Sequence, residues 1–89
     1  MFTGIVQTLG RVEQIVENDS GDKRFLIAAE KLDVPSLNIG DSICCNGVCL
    51  TATEFAANSF WADVSSETLG CTSFGELVVG SRLNLEKSL

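Results

Sequence analysis

The sequence predicts an all-β fold, a barrel or sandwich of short antiparallel strands, on three observations. Short runs rich in Val, Ile, Phe and Thr recur along the 89 residues with turn signals between them. The single proline, Pro35, lies outside those runs, as it must if they are central strands. Asn46-Gly47 separates two of the runs; it is a strong short hairpin signal, because both residues tolerate the positive φ of a type I′ turn. Closure into a barrel suits so small a chain because it removes exposed edges. Periodicity alone does not separate a barrel from a sandwich.

The elements follow in order. Residues 2–16 read as a first strand with glycines at 4 and 10, where a glycine inside a strand signals a bulge, a bend or a close backbone approach. Asn18-Asp19-Ser20-Gly21-Asp22 is a turn cluster. Residues 24–29 form the return strand, with Phe25, Ile27 and Ala29 on one side. Residues 30–37 break the pattern, and Pro35 predicts a short helical or 3₁₀ segment there. Gly40-Asp41 turns the chain into a strand over 42–45, the Asn46-Gly47 hairpin follows, and the return strand spans 48–55. Within it, Val48, Leu50 and Ala52 face the core, while Cys49, Thr51 and Thr53 form a row on the other face. Ala57-Asn58-Ser59 is a turn, and 60–64 is a strand with Phe60, Ala62 and Val64 on one face. Ser65 to Gly70 fits one helical turn with a glycine stop. Residues 78–86 hold the last strand. Leu37-x-x-Gly40-Asp41-x-Ile43 echoes Leu77-x-x-Gly80-Ser81-x-Leu83, which predicts two strands begun by the same glycine turn and a pseudo-symmetry within one barrel.

Composition narrows the function. The net charge of −6 and the absence of a basic cluster beyond Lys23-Arg24 argue against a nucleic-acid partner, which needs a cationic surface. No apolar run reaches the length of a membrane span. Met1-Phe2-Thr3-Gly4 lacks a basic leader and a hydrophobic signal core, so the start reads as that of a mature cytoplasmic protein. Four cysteines, Cys44, Cys45, Cys49 and Cys71, then default to free thiols. Cys45 and Cys49 have no second paired knuckle and no histidine behind them, which argues against zinc.

Three motifs in order carry a family resemblance. Met1-Phe2-Thr3-Gly4-Ile5-Val6, Asn46-Gly47-Val48-Cys49-Leu50-Thr51 and Glu67-Thr68-Leu69, with the Gly80-to-Glu86 ending, resemble the N-terminal repeat of the riboflavin synthase family over essentially the whole chain. The resemblance implies a six-stranded antiparallel Greek-key β-barrel with short helical turns. It makes residues 1–89 a single lumazine- and flavin-binding barrel, the N-terminal half of a two-repeat chain. The linker-like ending 85–89 favours a fragment over a natural single-barrel relative. The implied reaction dismutates two 6,7-dimethyl-8-ribityllumazines to riboflavin and a diaminopyrimidine, without metal or organic cofactor. The family's active site forms between barrels of different subunits of a homotrimer. An isolated N-terminal barrel is implied to pair as a homodimer and to bind ligand with little or no turnover.

The same resemblance assigns residues. Gly4, Ile5 and Val6 match a segment whose backbone meets the ring system, for which a glycine permits close approach; an ordinary bulged first strand is the plain alternative. Cys49 matches a cysteine beside the bound pteridine and is a candidate catalytic thiol. No histidine or clear cation is present to activate it, so a polarizable pocket wall is the rival role. Thr51 matches a ligand-bonding threonine, with exposed strand threonine as the alternative. Ser42 and Leu50 join this group. Asp63, Val64, Ser65, Ser66, Glu67 and Thr68 match the second binding segment, or else simply cap a helix. Phe2 matches a position near a subunit interface, or packs in the core. Cys44-Cys45, Ser65 and Gly70-Cys71 depart from the family pattern. Two other functions compete: a non-enzymatic lumazine or flavin carrier on the same fold, and an oligonucleotide-binding barrel, which would need a basic groove with stacking aromatics.

Overall fold

A computed structural model describes residues 7–29, 39–56 and 58–87. Six strands close into a barrel: β1 (Gln7–Glu17), β2 (Lys23–Ala29), β3 (Ser42–Cys45), β4 (Val48–Ala56), β5 (Ser59–Val64) and β6 (Arg82–Lys87). Their order around the wall is β1-β2-β5-β4-β3-β6, every neighbouring pair antiparallel. Consecutive β3, β4 and β5 lie side by side with β2 returning next to β5, which is the Greek-key arrangement. A helix α1 (Ser66–Cys71) and a 3₁₀ turn (Ser73–Glu76) join β5 to β6.

Period-two alternation places the core. Phe25, Ile27 and Ala29 of β2 point inward, as do Leu50 and Ala52 of β4, Phe60, Ala62 and Val64 of β5, and Leu83 and Leu85 of β6. Each large side chain among them, fully withdrawn from water, contributes about 1.5–3 kcal/mol. Phe74, from the 3₁₀ turn, adds a side chain that no strand supplies. It is fully buried and meets Phe25 edge-on at 5.4 Å between ring centroids, so the segment after β5 covers the end of the barrel.

The turns form for identifiable reasons. Asn46 and Gly47 take φ of 50° and 84°, the left-handed pair that a two-residue I′ loop requires. Asn18 Oδ1 accepts from the Ser20 and Asp22 backbone N–H groups and from Ser20 Oγ, which shapes the β1–β2 turn. Two boundaries differ from the sequence reading. Gly70 lies inside α1, which ends at Thr72 in extended conformation, because the Thr72 hydroxyl donates to Thr68 O at 2.7 Å and accepts from Phe74 N–H. The last strand begins at Arg82 rather than 78, since residues 79 and 80 are spent on a turn. The predicted helical segment at 30–37 lies outside the described residues.

The echoed glycine motif is a genuine internal symmetry. Gly40 donates to Ala52 O and Ala52 N–H donates to Asp41 O; Gly80 donates to Val12 O and Val12 N–H donates to Ser81 O. Gly40 and Gly80 have φ of 95° and 96°. The clamped residues, Val12 and Ala52, each begin a register shift, between Val12 and Gln14 in β1 and between Ala52 and Glu54 in β4. A pseudo-two-fold thus exchanges β1 with β4, β2 with β5 and β3 with β6, and runs through the pair Cys45↔Leu85.

Candidate functional site

The two halves differ where it matters. The β1–β2 ladder continues past Val12↔Ile27 through Arg11↔Ala28 to Gly10↔Ala29. The corresponding β4–β5 ladder stops at Ala52↔Ala62, although β4 extends back to Val48 and β5 on to Val64. Gly10 explains the closed seam. A Cβ there would lie 2.5 Å from Leu85 Cδ1 and 2.8 Å from Ala28 O, so only a glycine lets β1 approach β2 so closely. Its counterpart in the second half is Leu50, whose side chain enters the core, and there the paired register ends.

Hydrogen-bond alternation shows what faces this open seam. Ala52 N–H bonds Asp41 O, so Val48, Leu50 and Ala52 direct their backbone groups toward β3, and Cys49 and Thr51 direct theirs toward β5. Ala29 N–H bonds Asn58 O, and the same counting directs the backbone of Asp63 toward β4. Backbone groups of Cys49, Thr51 and Asp63 are therefore directed toward the seam, where the paired register of β4 and β5 ends at Ala52↔Ala62. Donors and acceptors from both strands suit the edge of a flat heterocycle that carries alternating carbonyl and N–H groups.

The side chains complete the site. Ser42 pairs with Thr51 and Cys44 with Cys49 across β3 and β4, which puts all four on the outer face. Cys49 and Thr51 are exposed, Ser42 is half-buried and Cys44 is buried. Continuing the Ala52↔Ala62 register by one residue sets Thr51 beside Asp63. Asp63 Oδ1 is held by Arg24 Nε at 3.2 Å. Arg24 also reaches Glu54 at 3.2 Å, donates to Thr53 Oγ1 at 3.3 Å and lies 5.0 Å over the Trp61 ring. Ser65 caps α1, its Oγ accepting from Thr68 N–H at 3.2 Å, and Ser66 N–H donates to Asp22 Oδ1 at 2.8 Å. Glu67 is exposed in the first helical turn.

The sequence-predicted residues therefore separate into groups. Ser42, Cys49, Thr51 and Asp63 lie on β3, β4 and β5 beside the end of the β4–β5 register, whereas Ser65, Ser66, Glu67 and Thr68 form the cap and first turn of α1, tied to the β1–β2 turn through Asp22. The side chains of Leu50 and Val64 face the core, leaving only their backbone to a ligand. Gly4, Ile5, Val6 and Phe2 lie outside the described residues. Sequence reasoning missed Asp22 and Arg24, which anchor Ser66 and Asp63 from a distant turn and strand. Their signal was faint: one of two acids in a turn cluster and an arginine beside a lysine at the start of a strand.

Of the four thiols, Cys45 stands apart. It is fully buried on the inner face, and burial foremost, with Cys44 and Cys49 nearby, pushes its pKa up to about 12. It stays protonated and is core, not chemistry. Among the described residues no group of three or more His, Cys, Asp or Glu is arranged to hold a metal. No helix there is long and apolar enough to cross a membrane. A cavity of about 180 Å³ lies over β1 and β6, lined by Leu9, Gly10, Arg11 and Arg82, the positions that Cys49, Leu50, Thr51 and Ser42 occupy in the other half.

These features define a class, a small Greek-key barrel with an open polar seam in its wall. Comparison with known proteins is specific. The lumazine binding domain family matches residues 3–88, and the chain belongs to that family. Riboflavin synthases of Photobacterium phosphoreum and Actinobacillus pleuropneumoniae are each 43% identical over all 89 residues, and that of Bacillus subtilis (strain 168) 38%. The chain spans 40% of the length of these relatives. Among solved structures, LumP complexed with 6,7-dimethyl-8-(1'-D-ribityl) lumazine superimposes with a TM-score of 0.86 at 33% identity, covering 99% of this chain and 49% of that one. LumP complexed with riboflavin gives 0.86 at 33%, covering 98% and 46%.

Proposed function

We propose that this barrel binds 6,7-dimethyl-8-ribityllumazine and riboflavin in the β4–β5 seam, as the N-terminal domain of a cytoplasmic riboflavin synthase. The observation that carries the reading is the seam itself, with backbone groups of Cys49, Thr51 and Asp63 directed toward it and the Ser42 and Thr51 side chains paired beside it. The pyrimidinedione edge of the ligand meets the backbone and the Thr51 hydroxyl, which both donates and accepts. The ribityl hydroxyls reach the polar segment 65–68.

In the complete enzyme two lumazines meet between barrels, and one transfers a four-carbon unit to the other. The reaction needs a base to take a methyl proton and polar groups to stabilise the adduct. This chain has no histidine, so its own contribution is placement, with Cys49 as the candidate thiol beside the ring. The lumazine or flavin is substrate and product, not a resident cofactor. The isolated barrel forms a homodimer, the full-length enzyme a homotrimer, and the barrel alone turns over little. The carrier function is not favoured: identity to the synthases reaches 43% against 33% for LumP.

The test is fluorescence titration of riboflavin and of the lumazine with the purified chain, alongside its mass by light scattering. Saturable quenching by the wild-type dimer, lost in a folded Thr51→Val variant, is the expected result. Unchanged binding in that variant would overturn the assigned seam.

A further inference from the structure

Cys44 and Cys49 face each other directly across β3 and β4, and the register fixes which kind of pair they make. Ala52 N–H bonds its opposite number Asp41, so the bonded pairs going toward the turn are 41/52, 43/50 and 45/48. Cys44/Cys49 is therefore a non-hydrogen-bonded pair, the closer kind, with Cα atoms about 4.5 Å apart. A disulfide spans Cα separations of about 4.4–6.8 Å. Both thiols are free and lie on the outer face, Cys49 exposed and Cys44 buried beside it. Cys45, the chain neighbour, points into the core and cannot compete, and Cys71 is on α1.

We propose that Cys44 and Cys49 form a redox-active dithiol whose closure to a cross-strand disulfide draws the Cys49 thiol away from the β4–β5 seam and weakens flavin binding there. The second half of this statement rests on the binding reading above. The oxidant is a hydroperoxide, with hydrogen peroxide as the simplest. The Cys49 thiolate attacks one peroxide oxygen, the O–O bond breaks, and Cys49 becomes a sulfenic acid as hydroxide leaves and is protonated to water. The Cys44 thiolate then attacks Cys49 Sγ, the S–O bond breaks and a second water leaves. Two thiols and one peroxide thus give one disulfide and two waters. The exposed thiol reacts first and the shielded one resolves it, so the intermediate is short-lived. A dithiol reductant reverses the bond by exchange. Closure pulls Cys49 Sγ across toward β3 and fixes the hairpin that forms one lip of the seam.

The experiment treats the reduced chain with hydrogen peroxide and reads intact mass and thiol alkylation after denaturation. The expected product is a monomer-mass chain that has lost two hydrogens and alkylates at two of its four cysteines. Cys45→Ser and Cys71→Ser variants still form it, and Cys44→Ser and Cys49→Ser do not. Riboflavin quenching weakens on oxidation, recovers with dithiothreitol, and is retained by reduced Cys44→Ser. A two-hydrogen loss that persists in Cys44→Ser, or a disulfide-linked dimer in place of the internal bond, overturns the dithiol. A Cys44–Cys49 disulfide that leaves quenching intact overturns the effect on binding. Should the reduced chain bind no flavin at all, the binding reading fails, while the mass result still decides the dithiol.

Discussion

Asp22 Oδ1 accepts a hydrogen bond from the Ser66 backbone N–H at 2.8 Å, joining the β1–β2 turn to the first turn of α1. The carboxylate thereby satisfies one of the orphan N–H groups at the helix start. It also fixes the segment that the binding reading assigns to the ligand's ribityl chain. Asp22→Ala is expected to weaken riboflavin binding and to cost about 1.5–3 kcal/mol at most, the range for bonds to charged groups. Asp22→Asn, which keeps an oxygen acceptor, retains most of the affinity. Titration of both variants at matched folded fraction checks the positioning role; equal binding by Asp22→Ala and wild type would remove it.

Gly10 is the tightest point in the wall. Gly10→Ala would drive a methyl into Leu85 and the Ala28 carbonyl. Backbone cannot yield as a side chain can, so a cost of about 1–3 kcal/mol is expected. For a domain of this size, each kcal/mol corresponds to a Tm fall of about 4–8 °C, readable by circular dichroism.

Arg11 and Arg82 are directly opposed across β1 and β6, and no ion pair joins either to a described residue. Like charges opposite one another destabilise a sheet. Arg82→Glu turns repulsion into attraction and is expected to stabilise the barrel by about 0.2–1 kcal/mol. Urea unfolding at low and high salt checks it, since a surface charge effect shrinks as salt rises.

Cys45 gives the fold an alkaline limit. Its pKa is raised from 9.0 to about 12, so above pH 9 the unfolded chain loses the thiol proton while the native state keeps it. The stability this provides is complete below pH 9 and falls as pH rises toward 12, by about 1.4 kcal/mol per pH unit. In Cys45→Val that part of the slope disappears. Unfolding free energies at pH 8, 9 and 10 for the two proteins measure the difference.

Much of this was legible in the residues. Alternation named the inward faces of β2, β4 and β5 because Phe25, Ile27 and Ala29, then Val48, Leu50 and Ala52, then Phe60, Ala62 and Val64 are apolar at every second position. Asn46-Gly47 named its own turn because few other pairs take two positive φ angles. The echo around Gly40 and Gly80 announced the pseudo-symmetry. The open seam was not legible: it depends on a ladder that stops, and on Leu50 standing where the other half has Gly10, a comparison that needs the register. Nor were Asp22 and Arg24 legible as supports, because their partners, Ser66 and Asp63, are distant in sequence and meet only when the barrel closes. Phe74 escaped for the same reason, being a core residue carried on a connection rather than a strand.

The pseudo-two-fold has a consequence for how such a barrel acquires and limits capacity. Two like halves offer two like crevices, and a repeat doubled without change would serve both alike. Here a single missing side chain welds one crevice shut, and the freed surface outside it carries arginines instead of hydroxyls. On the binding reading, two like halves divide their labour without altering the architecture: one half is mortar, the other a doorway. How many guests the wall admits is then set by the broken symmetry and not by the size of the barrel.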